Sequence, residues 1–131
     1  MISVKERPQG EADWAAATDL VLAVTGRAFN VQREALMSKQ RCQADIAFSR
    51  QVAMYLFHIV FGGTYKQVGA LFGRERTTVA YACSLVEDER DDVAFDRKLD
   101  LLEESLDRLW AITRLRQVKL KHEKSSGKAA A

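Results

Sequence analysis

The sequence predicts an all-α fold of about five helices that ends in a long C-terminal helix. One proline and seven glycines in 131 residues leave little room for strands joined by turns. Apolar residues instead recur three and four positions apart in successive stretches, the spacing of one buried helix face. Glycines fall where those stretches end, and Thr64 stands at the head of one of them, so start and stop signals agree with the periodicity. The 47% hydrophobic and 29% charged composition is that of a globular domain, and the length suffices for one core.

The expected organisation is a flexible lead-in over 1–12, a single helical domain over 13–122 and a disordered tail over 123–131. The lead-in carries Pro8 and Gly10; the tail from Ser125 is Ser, Gly, Lys and Ala without apolar anchors. Trp14, Ala17, Leu20, Val21 and Val24 predict a first helix with Asp13 as its N-cap and Gly26 as its stop. Phe29 to Leu36 reads as a connection with about one helical turn, followed by a basic loop, Ser38-Lys39-Gln40-Arg41. A second helix spans about Ala47 to Phe61, with Val52, Leu56, Ile59 and Val60 facing the core and Gly62-Gly63 stopping it.

Thr64 and Gln67 match a capping box, which opens a third helix with Val68, Leu71 and Phe72 as its stripe and Gly73 as its end. Another helix begins within four residues, with Val79, Cys83 and Val86 facing inward. Two short amphipathic helices joined by a tight glycine-bearing turn, over about 64–90, make a helix-turn-helix. The final helix, from Asp91 or Phe95 to Lys121, repeats Leu99, Leu102, Leu106 and Leu109 before Ile112 and Leu115 drift off the seam. Packing back on the core is expected of it, with a helical dimer contact as the alternative.

Charge is unevenly distributed. Residues 27–86 sum to +5, residues 87–109 to −6 and residues 110–131 to +5, within a net +2. A basic centre beside an acidic block suits a polyanion on one face, although solvated helix faces give the same sums. The second helix of the pair points Arg74, Glu75, Arg76, Thr77, Thr78 and, a turn later, Tyr81 outward. A helix N-terminus offers unsatisfied amides and partial positive charge to a phosphate. Arg76 can take a guanine edge with two prongs, Glu75 can accept from cytosine, and Thr77 can set its methyl against thymine. Each of these residues has a bland reading as a cap or a surface ion pair; together at this entry they predict readout of duplex DNA in the major groove.

Other chemistries find no support. No apolar run approaches the length needed to span a bilayer, and no secretion signal is visible, so a cytoplasmic, nucleoid-associated location is expected. Cys42 and Cys83 have no CxxC or histidine partner, so neither a metal site nor a disulfide is expected. His58 and His122 belong to no catalytic arrangement, and Glu87 to Asp92 lacks calcium-loop spacing; the chain is expected to be no enzyme and to take no cofactor.

The string from Val68 to Cys83, VGALFGRERTTVAYAC, with Ser49-Arg50-Gln51-Val52-Ala53-Met54 upstream, resembles the C-terminal DNA-binding domain of the bacterial chromosomal replication initiator, the DnaA family. The resemblance covers roughly residues 15–108. It implies base reading by Arg74, Glu75, Arg76 and Thr77. It implies DNA-backbone contacts from Arg50, Gln51, Tyr65, Lys66 and Thr78, and minor-groove contact from a loop containing Lys39 and Arg41. Three departures stand out. Arg76 replaces the family's usual histidine, which leaves the preferred bases open. Leu85 removes one backbone contact. Cys42, Gln43 and Asp45 thin a loop that is arginine-rich in the family. No GxxxxGK[ST] phosphate loop occurs, so a stand-alone, nucleotide-independent regulator of replication initiation or transcription is expected, as a monomer or a weak dimer through the C-terminal helix. The competing reading keeps the fold but binds a replication or regulatory protein rather than DNA.

Overall fold

The computed structural model describes residues 6–40 and 43–130, with side chains followed to Arg116. Among the described residues six helices form: α1 (Gly10–Phe29), α2 (Arg33–Met37), α3 (Ala44–Phe61), α4 (Tyr65–Phe72), α5 (Arg76–Glu89) and α6 (Val93–Ala130). Among the described residues there is no strand. The all-helical expectation and its helix-turn-helix hold.

α3 is the central rod. It touches α1, α2, α4, α5 and α6, which is why ten of its residues are buried. Its sequence is apolar nearly all round, the pattern of a helix with partners on several sides. Phe57 meets Phe72 of α4 edge-on, with centroids 5.9 Å apart, and Phe61 meets Trp110 of α6 at 5.3 Å. Such T-shaped pairs set the positive ring edge against the negative face.

Three boundaries differ from the sequence reading. α1 runs through Gly26 to Phe29 and closes at Asn30, whose φ of 55° is left-handed. Gly26 is needed for proximity: the Val31 carbonyl would lie 2.6 Å from any Cβ there. The amides of Asn30 and Val31 both bond to the Gly26 carbonyl, so the chain folds back over this residue rather than ending at it. Asp13 is likewise inside the helix; its carboxylate accepts from the Gln9 amide at 2.9 Å and pairs with Arg114 at 3.3 Å. α3 starts three residues before Ala47, with Asp45 in its first turn, where a carboxylate suits the helix dipole.

The expected lead-in is docked where the structure describes it. Pro8 is buried, the Trp110 indole donates to the Glu6 carbonyl at 2.6 Å, and Arg7 lies over Gly62. At the other end, the backbone of α6 continues past Lys121 to Ala130, across residues expected to be a disordered tail. Alanine and lysine there are good helix formers, and Gly127 costs only about 1 kcal/mol relative to alanine. Asp92 caps α6, accepting from the amides of Ala94 and Phe95. The packing of α6 on the core through Leu99, Leu102, Leu106 and Trp110 follows the expected seam, while Leu109 is part exposed.

Arg90, just after α5, ties three helices together. Its guanidinium donates to Asp96 at 2.6 Å, Asp100 at 2.5 Å, Glu103 at 3.0 Å and the Tyr55 hydroxyl at 3.0 Å. Burial alone would lower its pKa, but the bonds to Asp96, Tyr55 and Glu103 outweigh that and raise it. Burial raises the Glu103 pKa, against the pull of Arg90.

Candidate nucleic-acid interface

The capping box at Thr64 is present in both halves: Gln67 N–H donates to the Thr64 hydroxyl at 3.1 Å, and Thr64 N–H donates to the Gln67 side chain at 2.9 Å. α4 then buries Val68, Gly69 and Phe72 and ends at Gly73, whose φ is +63°. The Arg74 amide donates back to the Gly69 carbonyl at 2.8 Å. A Cβ on Gly69 would sit 2.5 Å from the Arg74 carbonyl oxygen, so only glycine lets the turn close this tightly. α5 leaves that turn with Val79, Ala82, Cys83 and Val86 buried against α3 and α4.

The opposite face of α5 is left to solvent. Glu75, Arg76, Thr77 and Thr78 are exposed, and Tyr81 one turn later is 64% exposed. Glu75 is the N-cap residue but makes no side-chain cap bond, and no acidic residue follows in the first turn. The first amides of α5 therefore keep their donor capacity toward solvent or a ligand. Lys66 and Ala70 of α4 join Arg74, Glu75, Arg76 and Thr77 around one open groove of about 630 Å³. Electrostatically this groove holds three cations against one carboxylate.

Sequence-named residues distribute in three ways around it. Lys66, Arg74, Glu75, Arg76 and Thr77 line the groove together. Tyr65 and Thr78 are exposed beside it, Tyr65 with its ring stacked on His58 at 4.7 Å, while His58 Nδ1 bonds the Gly63 carbonyl at 2.8 Å. Lys39 is exposed and runs its stem over Gly73, so the loop before α3 reaches the turn. Arg41 lies outside the described residues.

Arg50 and Gln51 sit apart. Gln51 is half-buried on α3, and Arg50 is only 7% exposed. Arg50 donates to the carbonyls of Leu36 at 2.7 Å and Ala35 at 2.9 Å at the C-terminal end of α2, where Ala35 also accepts from the Ser38 amide at 3.3 Å. Arg74 has a similar second duty: it is half-buried and donates to the Ser38 carbonyl at 3.2 Å and to Phe72 at 3.3 Å. Neither attachment was visible in the sequence, because an arginine in a polar stretch reads alike whether it faces a carbonyl or a phosphate.

Two groups behind α5 have shifted acidities. Burial, and then the hydrogen bond to Glu87, push the Tyr55 hydroxyl up to about 12. Burial, and then the Glu87 charge, push the Cys83 thiol up to about 11. Neither is a reactive nucleophile at neutral pH. Among the described residues no three His, Cys, Asp or Glu side chains are grouped to hold a metal ion, and no helix is long and apolar enough to cross a membrane.

Comparison with known proteins agrees with the helix pair. The model of the family described as the bacterial dnaA protein helix-turn-helix matches residues 18–86. The chain is 32% identical over 90 residues to the chromosomal replication initiator protein DnaA of Synechococcus sp., a match covering 67% of this chain and 19% of that protein. It is 38% identical over 80 residues to the protein of the same name from Ralstonia nicotianae, covering 60% of this chain and 15% of that one. The Burkholderia multivorans protein matches to the same extent. This chain thus spans less than a fifth of the length of these relatives. The match over 18–86 takes in α2, α3 and α4 whole, with most of α1 and α5, and on it the chain belongs to the bacterial DnaA protein helix-turn-helix family.

Proposed function

We propose that the protein binds double-stranded DNA at boxes of the type the replication initiator binds, with α5 in the major groove. The observation that carries this reading is the single groove that brings Lys66, Arg74, Arg76 and Thr77 together at the uncapped start of α5. In this reading Arg76 takes a guanine edge, Glu75 accepts from cytosine, and Thr77 packs on a thymine methyl. Arg74 reads with the donors left over from its two carbonyl bonds. Tyr65, Lys66, Thr78 and Gln51 hold the phosphates, which fixes register without reading sequence. Lys39 and Arg41 reach the minor groove. Arg50 contributes through the carbonyls it ties down next to that loop, which presents the minor-groove contact at a fixed height.

The biological role proposed is regulation of replication initiation or transcription in the nucleoid, with these 131 residues supplying DNA binding rather than nucleotide hydrolysis. Selection from random duplexes tests the specificity directly. A single enriched box related to the initiator's, altered at the base step Arg76 faces, supports the reading; an unenriched pool refutes it.

A second reading, a protein-interaction module, draws on a groove of about 260 Å³ lined by Ile59, Val60, Asp100, Glu103, Glu104 and Asp107. That chemistry suits a basic segment of a replication or regulatory protein. It gains only if the chain retains no duplex in any selection round.

A further inference from the structure

α6 carries two apolar faces, and the body of the protein uses one. Leu99, Leu102, Leu106 and Trp110 are buried against α1 and α3. On the outer side Leu101 is 62% exposed, Ile112 61% and Leu115 70%. Positions 101, 105, 108, 112 and 115 are alternately four and three apart, so these residues share one line along the helix, with Ser105 and Arg108 between the apolar positions. A lone exposed leucine means little, but three on one seam do. The last buried position of α6 among the described residues is Trp110, yet the helix runs on to Ala130, about 30 Å further.

Charge along the helix selects what covers this seam. Residues 96–107 hold five carboxylates and two cations, whereas residues 108–128 hold seven cations and one carboxylate. Asp100 and Glu104 are exposed in the first part; Arg108 and Arg116 are exposed in the second. A polyanion fits the second part and is repelled by the first. A parallel copy sets like charge against like. A reversed copy of the same helix sets the acidic residues 96–107 against the basic stretch 109–120, with Leu101 of each copy facing Leu115 of the other and Arg108 beside its own counterpart at the centre.

We propose that two copies of the chain associate through an antiparallel pairing of α6 along the Leu101–Ile112–Leu115 seam. The polar step at Ser105 and Arg108 limits the register, as a polar seam position does in coiled coils. Such a dimer carries two copies of α5. Tighter binding to paired boxes than to single ones follows from that, and this consequence alone rests on the DNA reading above.

Sedimentation equilibrium on the full chain, without DNA, tests the association independently of that reading. The expected mass rises with concentration from the single-chain 14.8 kDa toward twice that value. Leu101→Glu and Leu115→Glu are expected to stay at the single-chain mass at every concentration with unchanged helical circular dichroism, because both positions are exposed. A wild-type chain that stays single at all concentrations overturns the proposal, as do variants that associate like the wild type. Orientation is read in a Cys42→Ser background by oxidising mixed Leu101→Cys and Leu115→Cys chains. Disulfides between the two kinds of chain support the antiparallel pairing; disulfides of Leu101→Cys chains with one another overturn it.

Discussion

The Arg74 guanidinium lies 3.2 Å from the Ser38 carbonyl, joining the turn before α5 to the loop before α3 across 36 positions of sequence. Lys39 reinforces the joint by running its stem over Gly73. Loop and turn are thereby joined, and Arg74, two residues before α5 begins, helps set where the basic loop stands. On the DNA reading, major-groove and minor-groove contacts are held at a fixed separation by this bond.

Arg74 and Arg76 should therefore fail differently. Arg76→Ala removes a free, exposed side chain and is expected to cost about 1–3 kcal/mol on the preferred box with little loss on others, measured as the ratio of the two affinities. Arg74→Ala releases the loop as well, so affinity should fall on every duplex and amide exchange at Ser38–Gln40 should quicken. Equal behaviour of the two variants would contradict the coupling.

Arg50 holds the end of α2 from within the core. Arg50→Ala strips the Ala35 and Leu36 carbonyls of their charged donor. The expected loss is about 2–4 kcal/mol, seen as a lower urea midpoint with an unchanged slope. A midpoint equal to the wild type's would place the side chain outside the core in solution.

Gly69 admits no side chain. In Gly69→Ala the new methyl meets the Arg74 carbonyl, which is backbone and cannot rotate away. Helix propensity alone favours alanine by up to about 1 kcal/mol. The clash should outweigh that gain, lowering the melting temperature by several degrees. A stabilised variant would mean that the α4–α5 turn is looser than described.

Alkaline pH should loosen the protein through Cys83 and Tyr55. The folded thiol is pushed up to about 11 from an ordinary 9.0, and the folded phenol to about 12 from 10.0. Between each pair of values the unfolded chain has lost a proton that the folded chain retains, so stability falls as pH rises. Melting temperature should therefore decline from pH 9 upward, and Cys83→Ala should flatten the part of the decline below pH 11. An equally steep decline in that variant would assign it elsewhere.

The helix-turn-helix was legible because its signals are local. Thr64 and Gln67 are three residues apart, Gly73 follows the stripe it ends, and Val79, Cys83 and Val86 keep helical spacing. Gly26 misled because a glycine that admits a neighbouring carbonyl looks the same as one that stops a helix. What the sequence concealed was non-local. The Trp110 indole finds the Glu6 carbonyl 104 residues away, and Arg90 gathers carboxylates spread over α6. Composition marked Arg90 only as a cation inside an acidic run. The exposed half of the candidate interface, Glu75 to Thr78, was readable from helix phase; the anchoring of Arg50 and Arg74 depends on where α2 and its following loop come to rest, which no periodicity encodes.

The most direct test of the central claim is fluorescence anisotropy of an initiator-box duplex and a scrambled duplex across a salt series. Tighter binding to the box is expected, with affinity for both falling steeply as salt rises, because cations such as Lys66 displace counterions from phosphates. Equal affinity for the two duplexes at every salt concentration, or none for either, would contradict it.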